Sequence, residues 1–345
     1  MVAVPRTDQK NMSMSNKGMK LLLFIIITIY ASTSIGHARS YKIGITPWAG
    51  CSPFNIAEAK GFWSESGIYV EVVSYKNTKK MIKALKYRRV HMIYQMMGTL
   101  VDLYMKGVPI KIIAESSWSN GGDKIIVKKG VDITSLNQEK FGLYLNDPSV
   151  LFFAHKYLSS QNLKSKNFQF SQAEPESLVK DFIADKFKAI VIYNPFVLSA
   201  EKEGNGSMVA TSADFPGCMP EGMAARIDVL NAIPNKDMIS ILTGLIKAVR
   251  WLKDENNAEE FKHILNSRTF DGYPDLSNDD IKVMLNDLKI HDPAQMAERN
   301  KDNGGLYNYL GELKQMLKAN NMLKKDFDPK KIFDNKNIME ALKAR

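Results

Sequence analysis

Past Tyr41 the hydrophobic pattern of the chain switches repeatedly between two periods. Short runs with period-two alternation, "YKIGIT", "IYVEVVSY", "VHMIYQM" and "IKIIAES", predict strands. Between them, "SPFNIAEAKGFWSESG", "TKKMIKALKYRR" and "GTLVDLYMKG" repeat their apolar residues at helical spacing. The theme returns with strands "DKIIVKK", "KFGLYL", "FQFSQA", "AIVIYNP" and "SMVATSAD", separated by helices "DITSLNQ", "DPSVLFFAHKYLSSQN", "PESLVKDFIADK" and "FVLSAEKEG". After "FPGCMPEG" and the apolar run "MAARIDVL", everything from Asn235 onward reads as helices. Such alternation predicts an α/β fold with largely parallel sheets and a helical C-terminal tail. No repeat at a fixed period and no low-complexity tract interrupts it.

The first 38 residues carry a different pattern. Arg6, Lys10, Lys17 and Lys20 precede the apolar run "LLLFIIITIYA", which ends in the small-residue stretch "SIGHA". Gly36 and Ala38 suit cleavage after Ala38, so residues 1–38 are expected to be an export signal. The run falls short of the roughly 20 residues of a membrane span, which makes an uncleaved anchor the lesser reading. "WAGC", ending at Cys51, looks like a lipidation box, but it lies well beyond the apolar run that such a box must follow. Composition narrows the chemistry further. The 47 basic and 37 acidic residues give a formal net charge of +10. The lysines spread along helices without aromatic or glycine clusters, which argues against a nucleic-acid binder. Five histidines spaced singly and two cysteines form no metal or disulfide framework, and no cofactor is expected. Whether Cys51 and Cys218 pair is left open by the sequence.

Three helix starts directly follow strands: Ser52-Pro53, with a capping hydroxyl before proline; Gly98-Thr99; and Asp147-Pro148-Ser149. In open α/β sheets ligands gather at the carboxyl ends of strands, where free helix amides favour an anion or a polar group. Trp48, Tyr94, Trp118 and Tyr193 stand at or near strand ends, where they can wall a pocket. Asp123, in the glycine-rich "SNGGDKIIV", is either a turn cap or a partner for a ligand amine or ring N–H.

The blocks "PWAGCSPFNIAEAKGFWSESGIYVEVVSY", "MMGTLVDLYMKGVPIKIIAESSWSNGGDKIIVKKG", "DITSLNQEKFGLYLNDPSVLFFAHKYLSSQNL" and "KAIVIYNPF" resemble, in order and spacing, periplasmic substrate-binding proteins of ABC importers. The group is that of nitrate, sulfonate, taurine and bicarbonate binders, together with binders of thiamine pyrimidine precursors. The resemblance implies the type II periplasmic-binding-protein fold: one lobe from 39–120 and 222–345, a second from 121–221, and two crossings between them. It implies a pocket drawing on Trp48, Cys51, Ser52, Gly98, Thr99, Asn120, Asp123, Asp147 to Ser149, Asn194 and Pro195, which the strand aromatics Tyr94 and Tyr193 would join unless they serve as core, with no catalytic residue. The implied role is capture of a small polar or anionic compound such as a sulfonate or nitrate. A pyrimidine or amine ligand, or a sensory module, is the alternative. Implied partners are a permease and its ATPase, with the membrane met only through the permease, no nucleic acid, and a monomer. Lys188-Ala189 and Tyr193-Asn194-Pro195 depart from the usual Asp-Ala and Trp-Glu-Pro, and the second departure changes pocket charge. The related thiamine-pyrimidine synthases carry a cysteine-rich motif that this chain lacks, so an enzyme is not expected.

Overall fold

A computed structural model describes Met1 and residues 39–136, 140–145 and 147–343; the expected export signal lies outside the described residues. The chain enters a first sheet with β1 (Arg39–Ile45), β2 (Ile68–Ser74), β3 (Met92–Met96) and the long β4 (Ile110–Ser119). It then crosses into a second sheet made of β5 (Asp123–Lys128), β6 (Lys140–Leu143), β7 (Gln169–Gln172), β8 (Ala189–Tyr193) and β9 (Gly206–Thr211). A second crossing returns it through β10 (Pro220–Arg226), and β11 (Leu288–Ile290) closes one edge of the first sheet. The sheet orders are β11-β4-β10-β3-β1-β2 and β7-β6-β8-β5-β9.

The sheets are mixed, where the alternation of strands and helices predicts largely parallel ones. Pairs β1–β3, β6–β7 and β6–β8 are parallel. The strands that arrive from the other lobe run against their neighbours: β10 is antiparallel to β3 and β4, and β5 to β8 and β9. A chain that leaves one lobe along β4 must return in the opposite sense, so each crossing inserts a reversed strand. The three-residue β11 falls where the sequence reads only helix, because it is too short to display alternation. "DITSLNQ" forms one 3-10 turn over Ile133–Leu136. "MAARIDVL" divides between β10 and the helix Ile227–Ala232.

The crossings are stitched together. The Ser212 hydroxyl accepts from the Gly121 amide at 2.8 Å and shares a 2.8 Å hydrogen bond with Ser119 Oγ. The Asp287 carbonyl accepts from the amides of Asn120 (2.9 Å) and Gly122 (3.1 Å). Gly121 sits at φ +105°, a backbone region that a side chain would strain. Apolar burial runs through both lobes. Ile43, Ile45 and Phe54 pack with Ile241, Leu242 and Leu245 of the helix Asn235–Leu252. Ile126, Phe182 and Ile190 form a smaller core in the second lobe. A third cluster joins Phe152 and Phe153 of the helix Pro148–Ser160 to Leu310 and Leu313 of the tail helix Gly305–Ala319, so the tail packs on the second lobe as well.

One ionic group lies inside the first lobe. Glu115 is fully buried, takes a two-pronged bond from Arg299 (2.6 and 2.9 Å) and faces His291 Nε2 at 2.9 Å. Asn300 hydrogen-bonds both the amide and the carbonyl of Glu115 at 2.8 Å. Removing one member of a buried pair leaves an uncompensated charge. Arg299→Met is therefore expected to cost about 3–5 kcal/mol in denaturant unfolding. The double variant Glu115→Gln/Arg299→Met should recover most of that loss.

Candidate functional site

The carboxyl ends of the strands from both sheets face each other across the crossings, and most of the sequence-derived candidates gather there in three groups. The first group surrounds a residue the sequence reading did not select, Glu221. This residue follows Pro220 at the start of β10 and pairs in register with Met96 at the end of β3 and with Ser117 on β4. Trp48 Nε1 donates to Glu221 Oε2 at 2.9 Å, and Ser117 Oγ donates to the same oxygen at 2.8 Å. Behind Ser117 lies the buried Tyr94 hydroxyl at 2.6 Å, itself contacted by Ser116 Oγ at 3.3 Å. No Lys or Arg lies within ion-pair distance of Glu221 among the described residues. Burial pushes its carboxyl up to about 7, opposed by the Trp48 and Ser117 hydrogen bonds and reinforced by the Asp123 charge. Gly50 is required by this arrangement: a Cβ there would stand 2.6 Å from Trp48 Nε1 and 2.7 Å from Glu221 Oε2.

Cys51 and Ser52 lie next to this group but take different parts from those the sequence suggests. Ser52 is the first residue of the helix Ser52–Ala59 and makes no cap; its buried Oγ finds no hydrogen-bond partner among the described residues. Burial, then the nearby Glu221 charge, raises the Cys51 thiol well above its ordinary range, so it is held as an unreactive thiol. Cys51 and Cys218 are both free and buried.

The second group belongs to the other lobe. Asp123 begins β5 opposite Tyr193, and the Tyr144 hydroxyl donates to its Oδ1 at 2.6 Å. Tyr144 and Tyr193 meet edge to face, with centroids 4.9 Å apart. Burial raises the Asp123 carboxyl, while the hydroxyls of Ser119 and Tyr144 pull it down. The third group is a seam between the lobes. The Gly98 amide donates to Ser149 Oγ at 2.8 Å, and Thr99 Oγ1 donates to Asp147 Oδ2 at 2.5 Å. Asp147 also caps the helix Pro148–Ser160, accepting the Ser149 amide at 2.8 Å, and Tyr309 of the tail reaches Ser149 Oγ at 3.3 Å. Burial lifts the Asp147 carboxyl to about 6 against these hydrogen bonds. Two of the three helix starts on which an anion site would rest thus bind each other.

Asn120 and Asn194 are placed at the crossings. The Asn120 amide bonds to Asp287, and the exposed Asn194 reaches Asp287 Oδ2 at 3.3 Å. Sequence reasoning missed Glu221, Ser117 and Tyr144. The available signal for Glu221 was a lone carboxylate opening an apolar strand in "CMPEGMAAR", directly after the second crossing.

Residues 36–266 match the NMT1-like family. The chain belongs to that family. Among solved structures, the chain is similar to the periplasmic aliphatic sulphonate-binding protein SsuA of Escherichia coli, with TM-score 0.64, 14% identity, and 85% of this chain and 97% of that one covered. It is also similar to the periplasmic nitrate-binding protein NrtA of Synechocystis (TM-score 0.60, 18% identity, 89% of each chain). A zinc-bound ligand-binding component of an ABC-type import system from Staphylococcus aureus gives TM-score 0.64 at 15% identity, over 88% of this chain and 99% of that one. These likenesses establish the periplasmic-binding-protein fold. Comparison with curated proteins finds no match. Among the described residues no group of three His, Cys, Asp or Glu is placed to hold a metal ion.

Proposed function

We propose that the chain is the exported solute-binding protein of an ABC-type importer. Its lobes, 39–120 with 222–345 and 121–221, close over a small ligand and present the closed form to a permease. The observation that carries the reading is the seam at the strand ends, where Gly98 and Thr99 bond Ser149 and Asp147 directly beside the buried Glu221 and Asp123 groups. Contacts made only when two lobes meet are what a ligand-driven closure needs, since a ligand shifts the equilibrium by its preference for one state.

Of the ligand classes the sequence leaves open, the nitrogen-bearing one has the better support. A sulfonate or nitrate needs cations or free helix amides. The nearby amides of Gly98 and Ser149 are engaged in the seam, and of the buried carboxylates at its side Glu221 has no Lys or Arg partner among the described residues, while Lys124 beside Asp123 is turned to the Gly121 carbonyl and Asp287. An ammonium, amidine or ring N–H would instead donate to Glu221 and Asp123 and stack among Trp48, Tyr144 and Tyr193. A thermal-shift screen tests this. Some amine or aminopyrimidine is expected to raise the melting temperature by about 5 °C or more at about a hundredfold excess over Kd. Stabilisation by nitrate or methanesulfonate, with none by the amines, would overturn the ligand class; no stabilisation by any small molecule would overturn the receptor role.

A further inference from the structure

Between Glu71 and Asp102 the chain carries seven Lys or Arg residues and no acidic one. The structure gathers five of them on and beside the helix Thr78–Lys86 of the first lobe. The helix buries Met81, Ala84 and Leu85 and turns Lys79, Lys80, Lys83 and Lys86 outward, with Lys76 exposed just before it. Lys79, Lys83 and Lys86 follow one another at helical spacing along one exposed stripe. Arg88, Arg89 and the 66% exposed Tyr87 continue it past the helix end. Among the described residues only Arg88 of the seven has an ion-pair partner, Asp228 at 2.6 Å.

Helix stability does not account for the stripe. Lysines near a helix C-terminus interact favourably with its dipole, which covers Lys83 and Lys86. Lys79 and Lys80 occupy the first turn, where the dipole disfavours cations and where no acidic residue offsets them. Adjacent like charges without counterions on a well-packed helix are supported by something outside the chain.

We propose that this stripe is a docking surface for an anionic phospholipid bilayer. Lysine ammonium groups on flexible stems suit a laterally mobile layer of phosphate headgroups, whereas a fixed partner favours the planar fork of arginine. Tyr87 supplies the half-polar ring that settles at headgroup depth. The apolar face of the helix is spent on the lobe core, so docking is electrostatic and shallow, with no insertion of the helix. The chain would meet a membrane directly as well as through a permease, and local concentration at the importer would rise.

Co-sedimentation of the full chain with vesicles of phosphatidylcholine and phosphatidylglycerol (70:30) or phosphatidylcholine alone tests this. Phosphatidylcholine alone reports any insertion of the apolar N-terminal run, so the difference between the vesicles isolates the charge effect. Partitioning onto the anionic vesicles is expected to exceed that onto neutral ones at low salt and to vanish at high salt. Replacing Lys79, Lys80, Lys83 and Lys86 by Gln should weaken it by a factor on the order of a hundred, with melting temperature unchanged. Equal partitioning onto both vesicles would overturn the proposal and turn attention to an acidic protein face. Undiminished binding by the quadruple Gln variant would overturn it as well.

Discussion

Gly98→Ala is expected to weaken ligand binding ten- to hundredfold while leaving the ligand-free protein as stable as before, or slightly more so. A Cβ at residue 98 would stand 2.2 Å from the Ser149 backbone nitrogen, 2.5 Å from Ser149 Oγ and 2.7 Å from Asp147 Oδ1. All three atoms belong to the opposite lobe, and the nearest is backbone at the start of a proline-led helix, so it cannot step aside. If the seam is the closed form of a two-state receptor, as proposed, the clash falls on that state, at a cost of about 1–3 kcal/mol for forced overpacking. The proposed open state would part these atoms, and alanine is the better helix former by roughly 1 kcal/mol. A binding-competent state made rarer lowers apparent affinity in proportion. Calorimetric titration with the best ligand from the screen, beside thermal melts of the ligand-free variant, checks both halves. Small-angle scattering should show the variant remaining expanded at ligand concentrations that compact the wild type. An affinity equal to wild type would show that the seam is not the closed form of a receptor.

Glu221→Gln is expected to have the second large effect, with opposite signs for binding and stability. The substitution keeps the shape but removes the charge. A charge-assisted hydrogen bond to a ligand nitrogen is worth about 1.5–3 kcal/mol, so affinity at pH 8 should drop ten- to hundredfold. Stability moves the other way. Glu221 has a folded-state pKa of about 7, above the ordinary 4.5, so the folded protein holds this proton more tightly than the unfolded chain. The buried carboxyl costs nothing electrostatic below about pH 4.5. Its penalty grows as pH rises toward 7 and is complete above that. Ligand-free wild type should lose stability between pH 5 and pH 8, by an amount on the order of 3 kcal/mol from this group. The Gln variant should show a flatter profile and melt higher than wild type at pH 8. Parallel melts across this range measure it, and identical profiles would mean that Glu221 is not held uncompensated.

The alternation of periods was enough to read the layered α/β architecture, because each amphipathic segment states on its own which side it buries. It could not read the direction of β5 and β10, since reversal is set by crossings between lobes that leave no mark on a strand's own pattern. The same division runs through the site. Trp48, Asp123, Asp147 and Ser149 were visible as polar or aromatic residues at strand ends and helix starts, a local property. Glu221 was not, because its role comes from three separate segments converging on one oxygen, from Trp48, Ser117 and its own strand. Ser52 misled for a related reason. Serine before proline is a good local signal for a cap, but the preceding 3-10 turn Ala49–Cys51 carries the backbone straight into the helix and makes Ser52 its first residue. The departure at Tyr193-Asn194-Pro195 changes pocket charge, so no ligand could be carried over from relatives on sequence alone.

The central claim is a receptor whose cleft carboxylates take a ligand that donates hydrogen bonds. The number of protons exchanged on binding at pH 7 tests it most directly, read by calorimetry of the wild-type chain in two buffers of different ionisation enthalpy. With Glu221 shifted up to about 7, an alkylamine, already protonated at pH 7, should drive the carboxyl to its charged form and release a fraction of a proton per ligand bound. Proton uptake on binding, which an anion settling against neutralised carboxyls would produce, would contradict the account.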